Sequence, residues 1–176
     1  AMKQNRRQFL GKSVAAATGA LALPAIVPAR ALGLRAPSNR IVIASLGVGS
    51  RGNGVLSGFM RRYEDVQAVA VCDPFVSKRV RTKAAVDEYY GNTDCKAYEY
   101  YGDVLARDDI DAVLIATGDR MHAVASIMAA KAGKDVYSEK PMSLTIEEGR
   151  ALVETTRRFG TVYQCGHQRR SVDSYR

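Results

Sequence analysis

A doubly wound α/β fold on a parallel sheet is predicted by three features of this 176-residue sequence. From Arg40 onward, short apolar runs alternate with longer amphipathic ones. Runs such as Ile41-Val42-Ile43 and Ala112-Val113-Leu114-Ile115 are almost continuously apolar, as strands covered by helices on both faces must be. A Gly-x-Gly-x-x-Gly segment stands where the first apolar run gives way to the first helical pattern.

In chain order, the spacing predicts strands at 40–46, 66–72, 95–98, 111–116, 135–138 and 161–165. Helices are predicted between them at 51–62, 75–90, 101–107, 120–132 and 145–159. Strand one runs into Gly47-Val48-Gly49-Ser50-Arg51-Gly52, which opens the first helix. Strand two ends in Cys72-Asp73-Pro74, and strand four is followed by Thr117-Gly118-Asp119-Arg120-Met121-His122, where Asp119 is placed to cap the next helix. Strand five closes on Glu139-Lys140-Pro141. Thr145-Ile146-Glu147-Glu148 then reads as a capping box, which makes its glutamates structural. Six strands with crossover helices give a Rossmann-type sheet over residues 40–166.

Ahead of this domain, residues 1–31 read as an export leader. Asn5-Arg6-Arg7-Gln8-Phe9-Leu10-Gly11-Lys12 resembles the twin-arginine motif, a mild apolar run follows, and Ala29-Arg30-Ala31 offers a small-x-small cleavage site. The run is Ala- and Gly-rich and broken by Pro24, a poor match to a membrane span. The leader implies the twin-arginine export machinery as a partner and a periplasmic or otherwise exported location. Residues 32–39 form a linker of Gly, Pro, Ser and Asn without periodicity. The leader holds five basic residues and no acidic one, so the formal charge of +8 leaves only 21 basic against 18 acidic residues in the remainder. That near-balance argues against nucleic-acid binding. Three cysteines without a C-x-x-C pair support neither a disulfide framework nor a metal site, and Cys72 and Cys165 are expected as small buried hydrophobes.

The glycine segment carries a specific chemistry. Its first glycine permits a tight turn, the second lets backbone approach a pyrophosphate, and the third allows close helix–strand packing, with helix N–H groups facing the anion. Gly47, Val48, Gly49, Ser50, Arg51 and Gly52 are therefore the candidate pyrophosphate site. Asp73 is placed to accept from the adenosine ribose hydroxyls, which selects NAD; Lys78 and Arg79 just beyond keep NADP as the alternative. Lys140 ends a late parallel strand, where ligands of open α/β sheets sit, and is the candidate proton acid/base at the nicotinamide. His122 either faces the cofactor or packs beside it. Gln168-Arg169-Arg170 follows the last strand, near enough to the crevice for an anion or cofactor contact.

Gly47–Gly52, Asp109-Ile110-Asp111-Ala112-Val113-Leu114-Ile115-Ala116-Thr117 and Ala132-Gly133-Lys134-Asp135-Val136-Tyr137-Ser138-Glu139-Lys140-Pro141 together resemble the glucose–fructose oxidoreductase/inositol dehydrogenase/MocA (Gfo/Idh/MocA) family. The resemblance covers about residues 40–176. It implies Lys140 as the catalytic lysine, a cis Pro141, and Thr117, His122 and Glu139 lining the nicotinamide half. It also implies a C-terminal α/β domain supplying most of the substrate pocket and a homo-oligomer interface; residues 167–176 are expected to begin the connection to it, and the domain itself is absent from this chain. Where the family pattern often has proline after the strand-four threonine and a His-aromatic pair before the histidine, this sequence has Gly118, Arg120 and Met121. The activity implied is an NAD(P)-dependent oxidoreductase on the CH–OH group of a carbohydrate, with a tightly held cofactor. An NAD-dependent glycosidase or lyase, and a non-catalytic nucleotide-binding fragment, are the alternatives.

Overall fold

The computed structural model describes residues 39–175. The leader expected at 1–31 and nearly all of the linker at 32–39 lie outside the described residues. The elements run β1 Ile41–Leu46, α1 Ser50–Arg62, β2 Val66–Cys72, α2 Val76–Tyr90, β3 Lys96–Tyr98, α3 Tyr101–Leu105, β4 Ala112–Ile115, α4 His122–Lys131, β5 Asp135–Glu139, α5 Ile146–Phe159 and β6 Tyr163–Gly166. All five strand pairings are parallel, and the spatial order is β3-β2-β1-β4-β5-β6. This is the doubly wound Rossmann order, in which the chain reverses direction across the sheet between β1 and β4.

Alternating side chains of the central strands feed two cores. On one face Ile43, Ala68, Val71 and Leu114 pack with Leu56 and Met60 of α1 and Val86 of α2. On the other, Ala44, Leu46, Ala70, Val113 and Ile115 pack with Val104 and Leu105 of α3 and Ala125 and Ala129 of α4. Each fully buried Leu or Ile contributes about 1.5–3 kcal/mol relative to exposure. Helix α5 packs on α4. Its start is fixed by the expected capping box: the Thr145 hydroxyl accepts from Glu148 N–H, and the Glu148 carboxylate accepts from Thr145 N–H.

Several expectations shift, among them the ends of two helices, with α3 stopping at Leu105 and α4 starting at His122. Asp119 does not cap α4; it begins a 3-10 turn, Asp119–Met121, and neither this turn nor α4 has a side-chain cap. The last strand starts at Tyr163, not at 161. Gly160 ends α5 in the left-handed region (φ 67°), and Thr161 N–H turns back onto Thr156 O at 3.1 Å, which consumes two residues before pairing begins. Cys165 is only partly buried because β6 is the sheet's outer strand, whereas Cys72 is buried as expected.

Candidate functional site

The strand registers bring the site together. Leu46 pairs with both Cys72 and Ile115, Ile115 with Ser138, and Ser138 with Cys165. One residue further along each strand, Asp73, Gly47, Ala116, Glu139 and Gly166 therefore form a row along the carboxyl edge. The ladder extends into this row through Gly47 N–H to Cys72 O (2.8 Å) and Ala116 N–H to Leu46 O (2.8 Å). Above it lies a crevice of about 520 Å³ lined by Gly47, Gly49, Asp73, Thr117 and, from the neighbouring loops, Phe75 and Tyr100.

The three fingerprint glycines differ in what requires them. Gly47 has φ +82°, and a Cβ on it would stand 2.6 Å from Ala116 O. A Cβ on Gly52 would stand 1.9 Å from Gly47 O, so the helix packs directly on the turn. Gly49 has φ −66°, open to any residue, and a Cβ there would meet nothing within 4 Å. The fold alone leaves Gly49 unexplained, whereas a ligand drawn against the backbone at the start of α1 would need that space. A dinucleotide thus fits the residues present. Ser50 and Arg51 form the exposed first turn of α1, and Val48 is fully buried.

Asp73 is 5% exposed, and both of its carboxylate oxygens accept backbone N–H groups: Oδ2 from Val48 (3.1 Å) and Oδ1 from Phe75 (3.0 Å). It ties the glycine turn to the loop after β2 while still lining the crevice. Beneath it, burial, with Asp73 beside it, pushes the Cys72 thiol up to about 11.

At the other end of the row, Glu139 is 3% exposed. Its Oε1 meets Arg51 Nη2 at 2.9 Å and accepts from Gln168 Nε2, which also donates to the Tyr137 hydroxyl. Burial pushes the Tyr137 phenol up, against the lowering effect of the Gln168 bond. Glu139 Oε2 has no partner among the described residues. A buried carboxylate oxygen left so is costly, and a donor from a bound molecule would satisfy it. Lys140 is exposed, and its bond to Pro141 is cis. By register it stands level with Thr117, two residues past the Ile115–Ser138 pair.

His122 does not reach the crevice. Its ring is 1% exposed and lies between two loops, with Nδ1–H donating to Pro141 O (2.8 Å) and Nε2 set 3.2 Å from Thr117 O. Gln168 reaches Glu139, not the crevice wall. Sequence reasoning passed over Phe75, Glu99, Tyr100 and Met121 as wall residues. The signal was present, since each follows the carboxyl end of β2, β3 or β4.

This fold and crevice define an NAD-binding Rossmann domain. A family model described as "Oxidoreductase family, NAD-binding Rossmann fold" matches residues 41–167, and the chain belongs to the Gfo/Idh/MocA family. Among curated relatives, a glycosyl hydrolase family 109 protein 2 from Shewanella sp. (strain ANA-3) is 36% identical over 169 residues, covering 86% of this chain and 36% of the relative. An inositol 2-dehydrogenase from Salmonella paratyphi B is 30% identical over 131 residues, covering 74% and 38%. Among solved structures, scyllo-inositol dehydrogenase from Lactobacillus casei with bound NAD(H) and scyllo-inositol superposes with a TM-score of 0.69 at 26% identity, over 77% of this chain and 38% of that one. The chain spans little more than a third of the length of these proteins.

Proposed function

We propose that this chain is the cofactor half of an oxidoreductase acting on the CH–OH group of a sugar or polyol. The observation that carries the reading is the carboxyl-edge row: Gly47 and Asp73 line the crevice there, Glu139 ends β5 in the same row, and the exposed Lys140 follows it. Bound NAD supplies the hydride acceptor. Gly47, Gly49 and the first turn of α1 would hold its pyrophosphate, and Asp73 lines the ribose end. Glu139, held by Arg51 and Gln168, offers Oε2 to a hydroxyl at the nicotinamide end. Lys140 stands exposed beside it to take or return the hydroxyl proton. The inositol dehydrogenase relatives support a free polyol or sugar as substrate. The leader of residues 1–31 favours an exported protein that is loaded with NAD before transport and keeps it.

A second reading has its own support. The family 109 glycosyl hydrolase relative at 36% identity fits a redox-neutral cycle, in which transient oxidation of a sugar carbon acidifies its neighbour and cleaves a glycosidic bond. Product analysis with the full-length protein separates the two. Incubated with polyols and aryl glycosides, a net dehydrogenase accumulates NADH, and a hydrolase releases aglycone without it. Under either reading Lys140→Ala should lower turnover by about 10²–10⁴-fold with NAD affinity changed only a few-fold. Undiminished turnover would remove Lys140 from the chemistry.

A further inference from the structure

We propose that Glu99 is a specificity-determining residue that excludes the 2′-phosphorylated dinucleotide by holding Arg79 inside the fold. This rests on the reading of the crevice as a dinucleotide site.

Two cations follow Asp73, and either could serve an anion at the ribose end. The structure gives each of them other work. Arg79 has a side chain only 15% exposed; its Nη1 donates to Asp73 O (3.1 Å) and Pro74 O (3.0 Å), and its Nη2 pairs with Glu99 Oε2 at 3.1 Å. Both terminal nitrogens of the guanidinium are thereby engaged, and the group closes the loop after β2 onto the loop after β3. Lys78 Nζ lies over the Phe75 ring at 4.2 Å. Beside Asp73 the crevice is lined by Glu99, with a side chain 48% exposed, and by Lys78 over the Phe75 ring, while Arg79 is not on its wall. Two carboxylates, one of them rigidly held by the Val48 and Phe75 amides, face the ribose end. A ribose hydroxyl can donate to them. A phosphate dianion there would find the Arg79 guanidinium already engaged and the fixed Asp73 carboxylate opposite.

Glu99 is thus the latch. Without its charge, Arg79 keeps only two carbonyl acceptors and is free to turn to a stronger one. A single charge-assisted arginine–phosphate contact corresponds to about tenfold in affinity.

Calorimetric titration of the cofactor-free protein with NAD and with NADP tests this. The wild type should bind NAD more tightly. Glu99→Gln, which keeps the shape and removes the charge, should shift the NADP-to-NAD affinity ratio about tenfold towards NADP. Adding Arg79→Ala to Glu99→Gln should erase that gain, with circular dichroism confirming that each variant is folded. An unchanged NAD/NADP ratio in Glu99→Gln, or a gain that survives the loss of Arg79, overturns the proposal. Folded wild-type protein that binds neither dinucleotide would instead overturn the cofactor reading on which it stands.

Discussion

The fingerprint glycines separate two causes that a motif cannot. Gly52 is required by packing, whereas nothing in the fold fills the space beside Gly49, so substitutions at the two should fail differently. Gly52→Ala drives a methyl against Gly47 O and should cost about 1–3 kcal/mol of stability by overpacking. Gly49→Ala should leave the melting temperature within a few degrees and weaken NAD binding by tenfold or more. Thermal melts and NAD titrations on the two variants check both. A Gly49→Ala protein that binds NAD normally would mean that nothing approaches that backbone. The residue scale is also where sequence reading was least complete. Asp73 was legible as the acid ending β2, but its two backbone N–H bonds were not, because they depend on two loops that meet only in the fold. Asp119 looked like a cap by type and position, yet a 3-10 turn intervenes before α4 and leaves it no helix end to cap.

At the scale of elements, most boundaries were visible because the signals are local. Apolar runs mark the strands, Gly160 stops α5, and Thr145 with Glu148 starts it. Strand order was implied only by analogy of pattern, and the level placement of Asp73, Gly47, Ala116 and Glu139 needs the registers themselves. The loops at the carboxyl edge are not equally free. Those after β4 and β5 are joined through the His122 ring, whereas Phe75 and Tyr100 stand 61% and 69% exposed on the loops after β2 and β3. Accommodation of a cofactor should therefore fall on the second pair. Hydrogen exchange with and without NAD should show slowing at 74–78 and 99–101 and little change at 117–122 and 139–142. The reverse pattern would show that His122 does not pin the wall.

For the molecule as a whole, two buried thiols set an alkaline limit. Burial pushes Cys72 and Cys95 up to about 11, with Asp73 and Asp87 adding to it. Both folded values lie above the unfolded thiol value, about 8.5. The stability they contribute is fully present below that pH and is lost as pH rises towards 11, at roughly 1 kcal/mol per pH unit for each thiol. Urea midpoints should hold steady between pH 7 and 8 and fall from about 8.5 to 10, below the range where tyrosines dominate. Replacing both cysteines by alanine should flatten that slope; an unchanged slope would assign it to other groups.

The strand order 3-2-1-4-5-6 carries a thermodynamic consequence for ligand binding. Its first half, β1 to β3, is complete by Tyr98, and its second half begins at Ala112. Gly47, Asp73 and Tyr100 on the crevice wall belong to or directly follow the first half, Thr117 and Met121 on that wall follow β4 in the second, and Glu139 and Lys140 stand at the end of β5. A dinucleotide laid along the row spans the β1–β4 seam and binds only when that seam is closed. At a hundredfold excess over its dissociation constant, such a ligand adds about 2.7 kcal/mol to stability. That increment accrues to the joining of the two halves, so the cofactor acts as a non-covalent strap across the middle of the sheet.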